Sequence, residues 1–143
     1  MENKNTMELK LPSLSVNEGF ARSVVGAFAT QLDPTLEDIA DIKTAVSEAV
    51  TNAIVHAYPD RVGEICILAS LDKHTITIVV QDNGIGITDI DQARQPFYST
   101  AGDESRSGMG FTVMETFMDE VTIESTPGKG TTVELKKKIA AQG

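Results

Sequence analysis

The sequence predicts a two-layer α/β sandwich, in which helices pack on one face of a single sheet. Apolar residues recur with a helical period in two early segments and alternate with polar residues in the segments around them. In chain order the elements are a strand, two helices, two strands, a long irregular segment, a helix and two strands. This order predicts one sheet, and 143 residues suit a single domain spanning 1–143.

The first strand is predicted over 7–11, where apolar and polar residues alternate. Ser15 and Glu18 have the spacing of a capping box, which predicts a helix over about 15–32. One face of this helix carries Phe20, Val24, Ala27, Phe28 and Gln31.

The second helix is predicted over about 36–58, with Thr35 as its N-cap and Pro59 as its end. Its apolar ridge consists of Ile39, Ile42, Val46, Ala49, Val50 and Ala53. A ridge of this kind should face the sheet or the neighbouring helix.

The later elements surround a long segment without regular periodicity. Strands are predicted over 64–71 and 75–81, and the segment of about 83–108 is expected to form a lid with a short helical piece near 89–94. The remaining predictions are a helix over 110–118 and strands over 120–125 and 131–136.

The charge balance disfavours a nucleic-acid binder. Acidic residues outnumber basic ones 21 to 12, whereas phosphate contacts require Lys and Arg. An acidic surface favours solubility and would also attract a basic protein partner. Neither a signal peptide nor an apolar stretch of the roughly 20 residues needed to span a membrane is recognisable, so we expect an intracellular chain without a membrane partner.

Cys66 is the only cysteine, so an intramolecular disulfide is excluded. It lies in an apolar run, which predicts a small core residue rather than a reactive thiol.

Polar side chains recur every four residues in the second helix, at Glu48, Asn52 and His56. The amide oxygen of Asn52 suits a hard cation, and the carboxylate of Glu48 can accept a proton from an incoming hydroxyl. The alternative is a solvated polar stripe, and for His56 we favour a histidine at the helix end without a ligand role.

A carboxylate followed by two glycines ends the predicted strand 75–81, at Asp82, Gly84 and Gly86. The glycines allow a tight turn and a close ligand, and the carboxylate can accept a hydrogen bond from the amino group of adenine. The alternative is an ordinary Asp-Asn-Gly turn. The third glycine of a dinucleotide-binding fingerprint is missing, and no P-loop is present.

Two further glycine segments follow. The first, 108–110, opens a predicted helix whose free backbone N–H groups suit phosphates, and Arg106 could add a cation to the terminal phosphate. The second, 128–130, precedes Thr131, whose hydroxyl could reach a base or a water held on Asp82. The alternatives are a flexible hinge and a simple hairpin turn.

These four elements, in this order, resemble the N, G1, G2 and final Gly-Thr boxes of the GHKL ATPase superfamily, which includes gyrase B, histidine kinases and MutL. The match covers about 35–135. Four sequence segments are also similar to those of the anti-sigma factor serine kinases of endospore-forming bacteria. These segments are 47–54, 94–97, 106–111 and 118–121.

The resemblance implies a Bergerat-type fold with a mixed, mostly antiparallel sheet and an ATP lid. It also implies ATP or ADP with Mg²⁺, and a role for each matching residue. Asp82 and Thr131 would recognise adenine, and Asn52 would coordinate Mg²⁺. Glu48 would act as base, and Arg106 would meet the terminal phosphate. The pocket would be shaped by Gly84 and Gly86, and the phosphates would be met by Ser107, Gly108, Met109 and Gly110.

The resemblance further implies a homodimer with two protein partners. One is a sigma factor of the sigma-F type, which the chain would inhibit to control sporulation transcription. The other is an anti-anti-sigma protein, which would be phosphorylated on serine. The alternatives are a general-stress, sigma-B-type kinase, a detached histidine-kinase domain and a nucleotide-gated binding module without transfer activity.

Two points concern the partner face and the lid. An arginine beside small apolar residues suits a contact surface, so we predict a partner-binding stripe on the first helix at Arg22, Val25 and Ala29. The alternative is a solvated arginine.

Many relatives place a lysine after a Thr-Thr pair in the lid, whereas Ala101 follows Thr100 here.

Overall fold

The computed structural model describes residues 4–87 and 110–140. Its five strands are β1 (Asn5–Pro12), β2 (Glu64–Asp72), β3 (Thr75–Asp82), β4 (Glu120–Thr126) and β5 (Gly130–Lys138). They form one sheet in the order β1-β2-β3-β5-β4, and the four ladders of the described residues are all antiparallel. The predicted sheet is confirmed. Because β5 pairs with β3, the end of β3 lies beside the start of β5.

Within the described residues, three α-helices accompany the sheet: α1 (Val16–Ala29), α2 (Leu36–Asn52) and α3 (Gly110–Phe117). A 3₁₀ turn, Thr30–Leu32, extends α1, and a π-helical turn, Ala53–Ala57, follows α2. The predicted helix over 36–58 therefore changes its hydrogen-bond pattern after Asn52. Such π-helical turns are frequent at functional sites. None of the described helices is both long and apolar enough to cross a membrane.

One core lies between the helices and one face of the sheet. Alternate residues of β2 and β3, such as Ile67 and Ile78, are fully buried, as the period of a strand requires. The predicted ridge of α2 is confirmed at five positions, which are buried: Ile42, Val46, Ala49, Val50 and Ala53. Fully burying one such aliphatic side chain is worth about 1.5–3 kcal/mol, so this core holds α2 and its polar side chains in place against the sheet.

The two predicted N-caps differ in outcome. Thr35 is extended, at φ −72° and ψ 165°, and its hydroxyl accepts a hydrogen bond from the N–H of Asp38 at 3.0 Å. The Asp38 carboxylate in turn accepts a hydrogen bond from the N–H of Thr35 at 3.2 Å, which completes a capping box. Ser15 has helical dihedrals and its side chain caps nothing, so the capping box predicted with Glu18 is wrong. A cap requires the extended conformation that Ser15 lacks.

The face predicted for partners on α1 is wrong at two of its three residues. Val25 and Ala29 are fully buried, because α1 packs against α2 through its small side chains, and only Arg22 is exposed. Phe20, predicted on another face, is 53% exposed. Packing against α2, rather than the size of the apolar side chains, therefore determines which face of α1 is buried.

Cys66 does not lie in the core, so that prediction is also wrong. It is half-buried on the sheet face opposite the helices, beside a groove also lined by Glu8 and Lys10. Burial, and then the nearby Glu8 carboxylate, raise the pKa of the thiol, and a raised pKa keeps a thiol protonated and unreactive.

Candidate functional site

The structure brings the predicted residues together in two clusters. The β3–β5 cluster consists of Asp82, Gly84, Gly86, Gly130 and Thr131, and the α2–α3 cluster consists of Glu48, Asn52 and Gly110. The predicted short helix near 89–94, residues 88–108 of the predicted lid, and the predicted phosphate contacts Arg106, Ser107, Gly108 and Met109 lie outside the described residues.

In the β3–β5 cluster, Asp82 at the end of β3 is the direct cross-strand partner of Thr131 at the start of β5. Its Oδ1 accepts hydrogen bonds from the backbone N–H of Gly84 at 3.0 Å and of Thr131 at 3.2 Å. Both bonds end on Oδ1, so in the described part of the chain Oδ2 is the oxygen that can accept a ligand's donor.

Burial raises the pKa of the Asp82 carboxyl above its ordinary value of 3.8, and the backbone donors of Gly84 and Thr131 oppose that rise. Burial disfavours the charged form because a carboxylate loses hydration there. A hydrogen-bond donor supplied by a ligand would replace part of that hydration. The carboxylate is therefore suited to a ligand amino group.

Two glycines let other backbone segments approach the turn after Asp82. A Cβ atom at Gly84 would lie 2.2 Å from the carbonyl oxygen of Ala57. A Cβ atom at Gly86, whose φ is +78°, would lie 2.4 Å from the carbonyl oxygen of Thr126. Only glycine tolerates these contacts, and the role of both residues in shaping a nucleotide pocket stays a prediction.

Ser125 is a site residue that the sequence reasoning missed. Its Oγ accepts a hydrogen bond from the N–H of Ile87 at 2.7 Å and lies 2.8 Å from the Oγ1 of Thr131. The Thr131 hydroxyl is thus engaged by Ser125, and Thr131 contacts Asp82 through its backbone N–H. The signal available was the cross-strand pairing of Ser125 with Thr131, which follows from the hairpin turn between them.

Tyr58 is a second missed residue. Its buried hydroxyl accepts a hydrogen bond from the N–H of Asn83 and donates one to the carbonyl oxygen of Glu64, both at 2.7 Å. The sequence suggested only that Tyr58 ends a helix. Together with Ala57, whose carbonyl oxygen accepts a hydrogen bond from the N–H of Ile85 at 3.0 Å, it ties the turn after Asp82 to the end of the π-helical turn that follows α2.

In the α2–α3 cluster, Glu48 and Asn52 lie one turn apart on α2 and face the first residue of α3. A Cβ atom at Gly110 would lie 3.1 Å from the Nδ2 of Asn52 and 3.2 Å from the Oε2 of Glu48. Backbone N–H groups in the first turn of a helix lack intrahelical partners and carry the positive end of the helix dipole. A carboxylate, an amide and an anion-attracting helix end therefore meet at one place.

The donor set of the α2–α3 cluster fits a magnesium ion that is shared with phosphates. The described residues contain no group of three or more His, Cys, Asp or Glu side chains able to hold a metal alone. Magnesium commonly takes only one or two protein ligands and completes its shell with water and phosphate oxygens. The amide oxygen of Asn52 is a suitable ligand of that kind.

Comparisons with known proteins find relatives along nearly the whole chain. The model of the histidine kinase-like ATPase domain family matches residues 12–137. The anti-sigma F factor of Caldanaerobacter subterraneus subsp. tengcongensis is 61% identical over 139 residues, which cover 97% of each chain. The anti-sigma F factor of Bacillus subtilis is 49% identical over 138 residues, covering 96% of this chain and 94% of the relative.

Solved structures show the same fold at low identity. The RsbU and RsbW domains of a Mycobacterium tuberculosis protein superpose with a TM-score of 0.69 at 22% identity, over 97% of this chain and 33% of that longer chain. The catalytic domain of the histidine kinase ThkA superposes with a TM-score of 0.57 at 15% identity, over 94% of this chain and 96% of that one.

Proposed function

We infer the function from two premises: the chain belongs to the histidine kinase-like ATPase domain family, and its two clusters suit the two ends of a nucleotide. We propose that residues 1–143 form one ATP-dependent protein serine kinase that also binds and inhibits a sigma factor. The observation that carries the proposal is the meeting of Glu48 and Asn52 with the N-terminus of α3 at Gly110.

The β3–β5 cluster would hold the adenine of ATP or ADP. The Oδ2 of Asp82 would accept the exocyclic amino group, whereas the carbonyl oxygen of guanine would face a carboxylate and be rejected. The buried Thr131 would pack at the base as well, with its hydroxyl oriented by Ser125. This pocket would therefore select the base.

The α2–α3 cluster would serve the phosphates and the attacking hydroxyl. Asn52 would hold magnesium, which when bound neutralises phosphate charge. Glu48 would accept the proton of a partner's serine hydroxyl while the serine oxygen forms its bond to the terminal phosphorus and the bond to the bridging oxygen breaks, releasing ADP. Phosphoryl transfer depends mostly on positioning and charge, which fits a cluster with one base and few other groups.

The names of the relatives support one protein partner, a sigma factor, and the family resemblance adds the second. Proteins named anti-sigma F factor are 49–61% identical to this chain over nearly its whole length. We therefore assign a sigma factor of the sigma-F type as the inhibited partner and a serine of its anti-anti-sigma antagonist as the phosphorylated group. Control of sporulation transcription and a cytoplasmic location go with this assignment, since a sigma factor acts with RNA polymerase. The general-stress, sigma-B-type pair is the alternative.

Self-association into a homodimer is part of the proposal. In the described part of the chain β1 pairs only with β2, so its other edge offers backbone groups for pairing. Three large apolar residues near the end of β1 and the start of α1 are exposed: Leu14 at 43%, Val16 at 78% and Phe20 at 53%. An apolar patch beside an open edge favours contact with a second copy.

The test is phosphotransfer from labelled ATP to the anti-anti-sigma protein of the same host. The wild-type chain should produce acid-stable phosphoserine. Glu48→Ala should keep ATP affinity and lower the rate by about 10²–10⁴-fold, the usual contribution of a general base. Glu37→Ala, at an exposed position of α2, is the control and should keep the wild-type rate.

Each alternative has its own outcome in this test. Acid-labile phosphohistidine would identify a histidine-kinase domain, and bound ATP without any label on the partner would identify a nucleotide-gated binding module. A normal rate in Glu48→Ala would show that another group takes the proton.

A further inference from the structure

A hydrogen bond and an ion pair connect the exposed side of α1 with the turn of α2 that carries Glu48. The hydroxyl of Ser47 on α2 donates a hydrogen bond to the Oε1 of Glu18 on α1. The other carboxylate oxygen of Glu18, Oε2, lies 3.8 Å from the Nε of Arg22. One carboxylate therefore joins a half-buried serine on α2 to an exposed arginine on α1.

The two side chains of the ion pair differ in exposure. The side chain of Glu18 is 24% exposed and that of Arg22 is 45% exposed. The guanidinium of Arg22 bends back along α1, since a Cβ atom at Gly19 would lie 3.5 Å from its Nη2. A solvated pair at this distance fixes an arginine only weakly by itself. The bond from Ser47 holds the carboxylate, and a held carboxylate restricts the arginine that pairs with it.

Ser47 belongs to the same helical turn as the α2–α3 cluster. It directly precedes Glu48, and its carbonyl oxygen accepts a hydrogen bond from the Oγ1 of Thr51 at 2.7 Å. Thr51 in turn directly precedes Asn52. A rotation of this turn would therefore move Ser47 together with Glu48, and through Glu18 it would move the guanidinium of Arg22.

We propose that Ser47 is a positioning residue that couples Arg22, the one exposed residue of the stripe predicted for partners, to the turn of α2 that presents Glu48. This inference rests on the proposed function, since it concerns how the protein substrate meets the site. The partner group recognised by Arg22 is an acidic side chain or chain end, because a guanidinium binds carboxylates with two parallel donors. Ser47 itself touches neither ATP nor the partner.

The test is a set of single and double variants assayed with the host's anti-anti-sigma protein as substrate. Ser47→Ala should raise the KM for the protein substrate about tenfold, the effect of losing one hydrogen bond to a charged group, and leave kcat and ATP affinity within about twofold. Ser47→Thr keeps the hydroxyl and should restore a KM near that of the wild type.

The decisive measurement is the KM of the double variant, which shows whether Ser47 and Arg22 act together. In an Arg22→Ala background, Ser47→Ala should add less than about twofold to the KM, because the residue that it positions is absent. Thr44→Ala, an exposed hydroxyl on the same helix, is the control and should change neither value. Additive effects of the Arg22 and Ser47 substitutions would overturn the proposal, as would an equal loss of ATP affinity in Ser47→Ala.

The same variants separate this proposal from the proposed function. Affinity for the anti-anti-sigma protein can be measured by calorimetry with ADP present, independently of phosphotransfer. If the wild type binds this protein without phosphorylating it, the kinase assignment fails, and non-additive binding energies still support the coupling. If the wild type does not bind it, the partner assignment and the coupling both fail.

Discussion

The glycines of the β3–β5 cluster pack against backbone, whereas Gly110 of the α2–α3 cluster packs against side chains. A Cβ atom at Gly84 or Gly130 would lie 2.2 or 2.1 Å from a carbonyl oxygen. At Gly110 the nearest atoms are the ends of Asn52 and Glu48, and the shortest distance is 3.1 Å. Backbone atoms of a strand cannot move away without displacing the strand, but the ends of side chains can shift by a few tenths of an ångström.

This difference indicates that the β3–β5 cluster tolerates added atoms and displacements less than the α2–α3 cluster does. The β3–β5 cluster is held by a ladder and by the hydrogen bonds of Tyr58 and Ser125. It is preformed and suits selection of a base. The α2–α3 cluster depends on how two helices lie against each other, and helix positions adjust more readily than a paired sheet. Under the proposed function, this cluster holds groups whose surroundings change during phosphotransfer.

Gly130→Ala should have the largest effect, because its Cβ would lie 2.1 Å from the carbonyl oxygen of Asp82 and its φ is +111°. We expect a loss of about 3 kcal/mol or more in the free energy of unfolding, measured in urea. Gly128→Ala is the matched control: its φ is +81° and nothing lies within 4 Å. It should lose only about 1 kcal/mol. Equal losses in both variants would contradict the importance of the backbone contact.

Asp82→Asn should weaken ATP binding by about 10–200-fold, the range for a hydrogen bond to a charged group. With Oδ1 still bonded to backbone N–H groups, the Asn amide nitrogen would face the amino group of adenine, donor against donor. Isothermal calorimetry with ATP and GTP measures the change. Asp72→Asn, at the exposed opposite end of the sheet, is the control.

The pH dependence of ATP binding tests the same carboxylate. Since burial raises the pKa of Asp82, its acceptor form is lost on acidification at a higher pH than the ordinary value of 3.8. Wild-type affinity should therefore fall as the pH drops through that raised pKa, and Asp82→Asn should lack this step.

The free energy of unfolding should depend on pH in the opposite direction. Between 3.8 and the raised pKa the native state holds more protons than the unfolded state, so ionisation of Asp82 lowers stability as pH rises.

Gly110→Ala should separate the two clusters by function. The added methyl group would displace Asn52 and Glu48, and we expect a roughly tenfold lower kcat for phosphotransfer, equal to about 1.4 kcal/mol. The free energy of unfolding should stay within about 1 kcal/mol, since Ala favours the helix. Gly26→Ala on α1 is the control, because its Cβ would also meet a side chain, Lys43 at 3.0 Å. An unchanged kcat in Gly110→Ala would remove the α2–α3 cluster from the mechanism.

Ser125→Ala should have the smallest effect. It removes the hydroxyl that binds the N–H of Ile87 and orients Thr131, at an expected loss of about 1 kcal/mol in stability and about fivefold in ATP affinity. Thr122→Ala, exposed on the same strand, is the control. Loss of stability without any loss of affinity would show that Ser125 supports the hairpin but not the base pocket.

The pattern of α2 and of the strands was predictable because a long amphipathic period and strict alternation each allow one buried face. The capping box of Thr35 was predictable too, since cap and helix are adjacent in the chain. The face of α1 was not, because α1 is apolar or small on several sides and its packing partner selects among them. Val25 and Ala29 therefore lie in the core, and Phe20 does not.

The sequence by itself determined which chemical groups are available: the carboxylates Glu48 and Asp82, the amide Asn52 and the glycines that allow close approach. These depend on residue type and local spacing. Only the tertiary structure decided which of them meet. Antiparallel pairing of β5 with β3 brings Thr131 to Asp82 across 49 residues, and contact of α3 with α2 brings Gly110 to Glu48 and Asn52. Such contacts between distant residues follow from the register of the sheet and the packing of the helices, which no local pattern encodes.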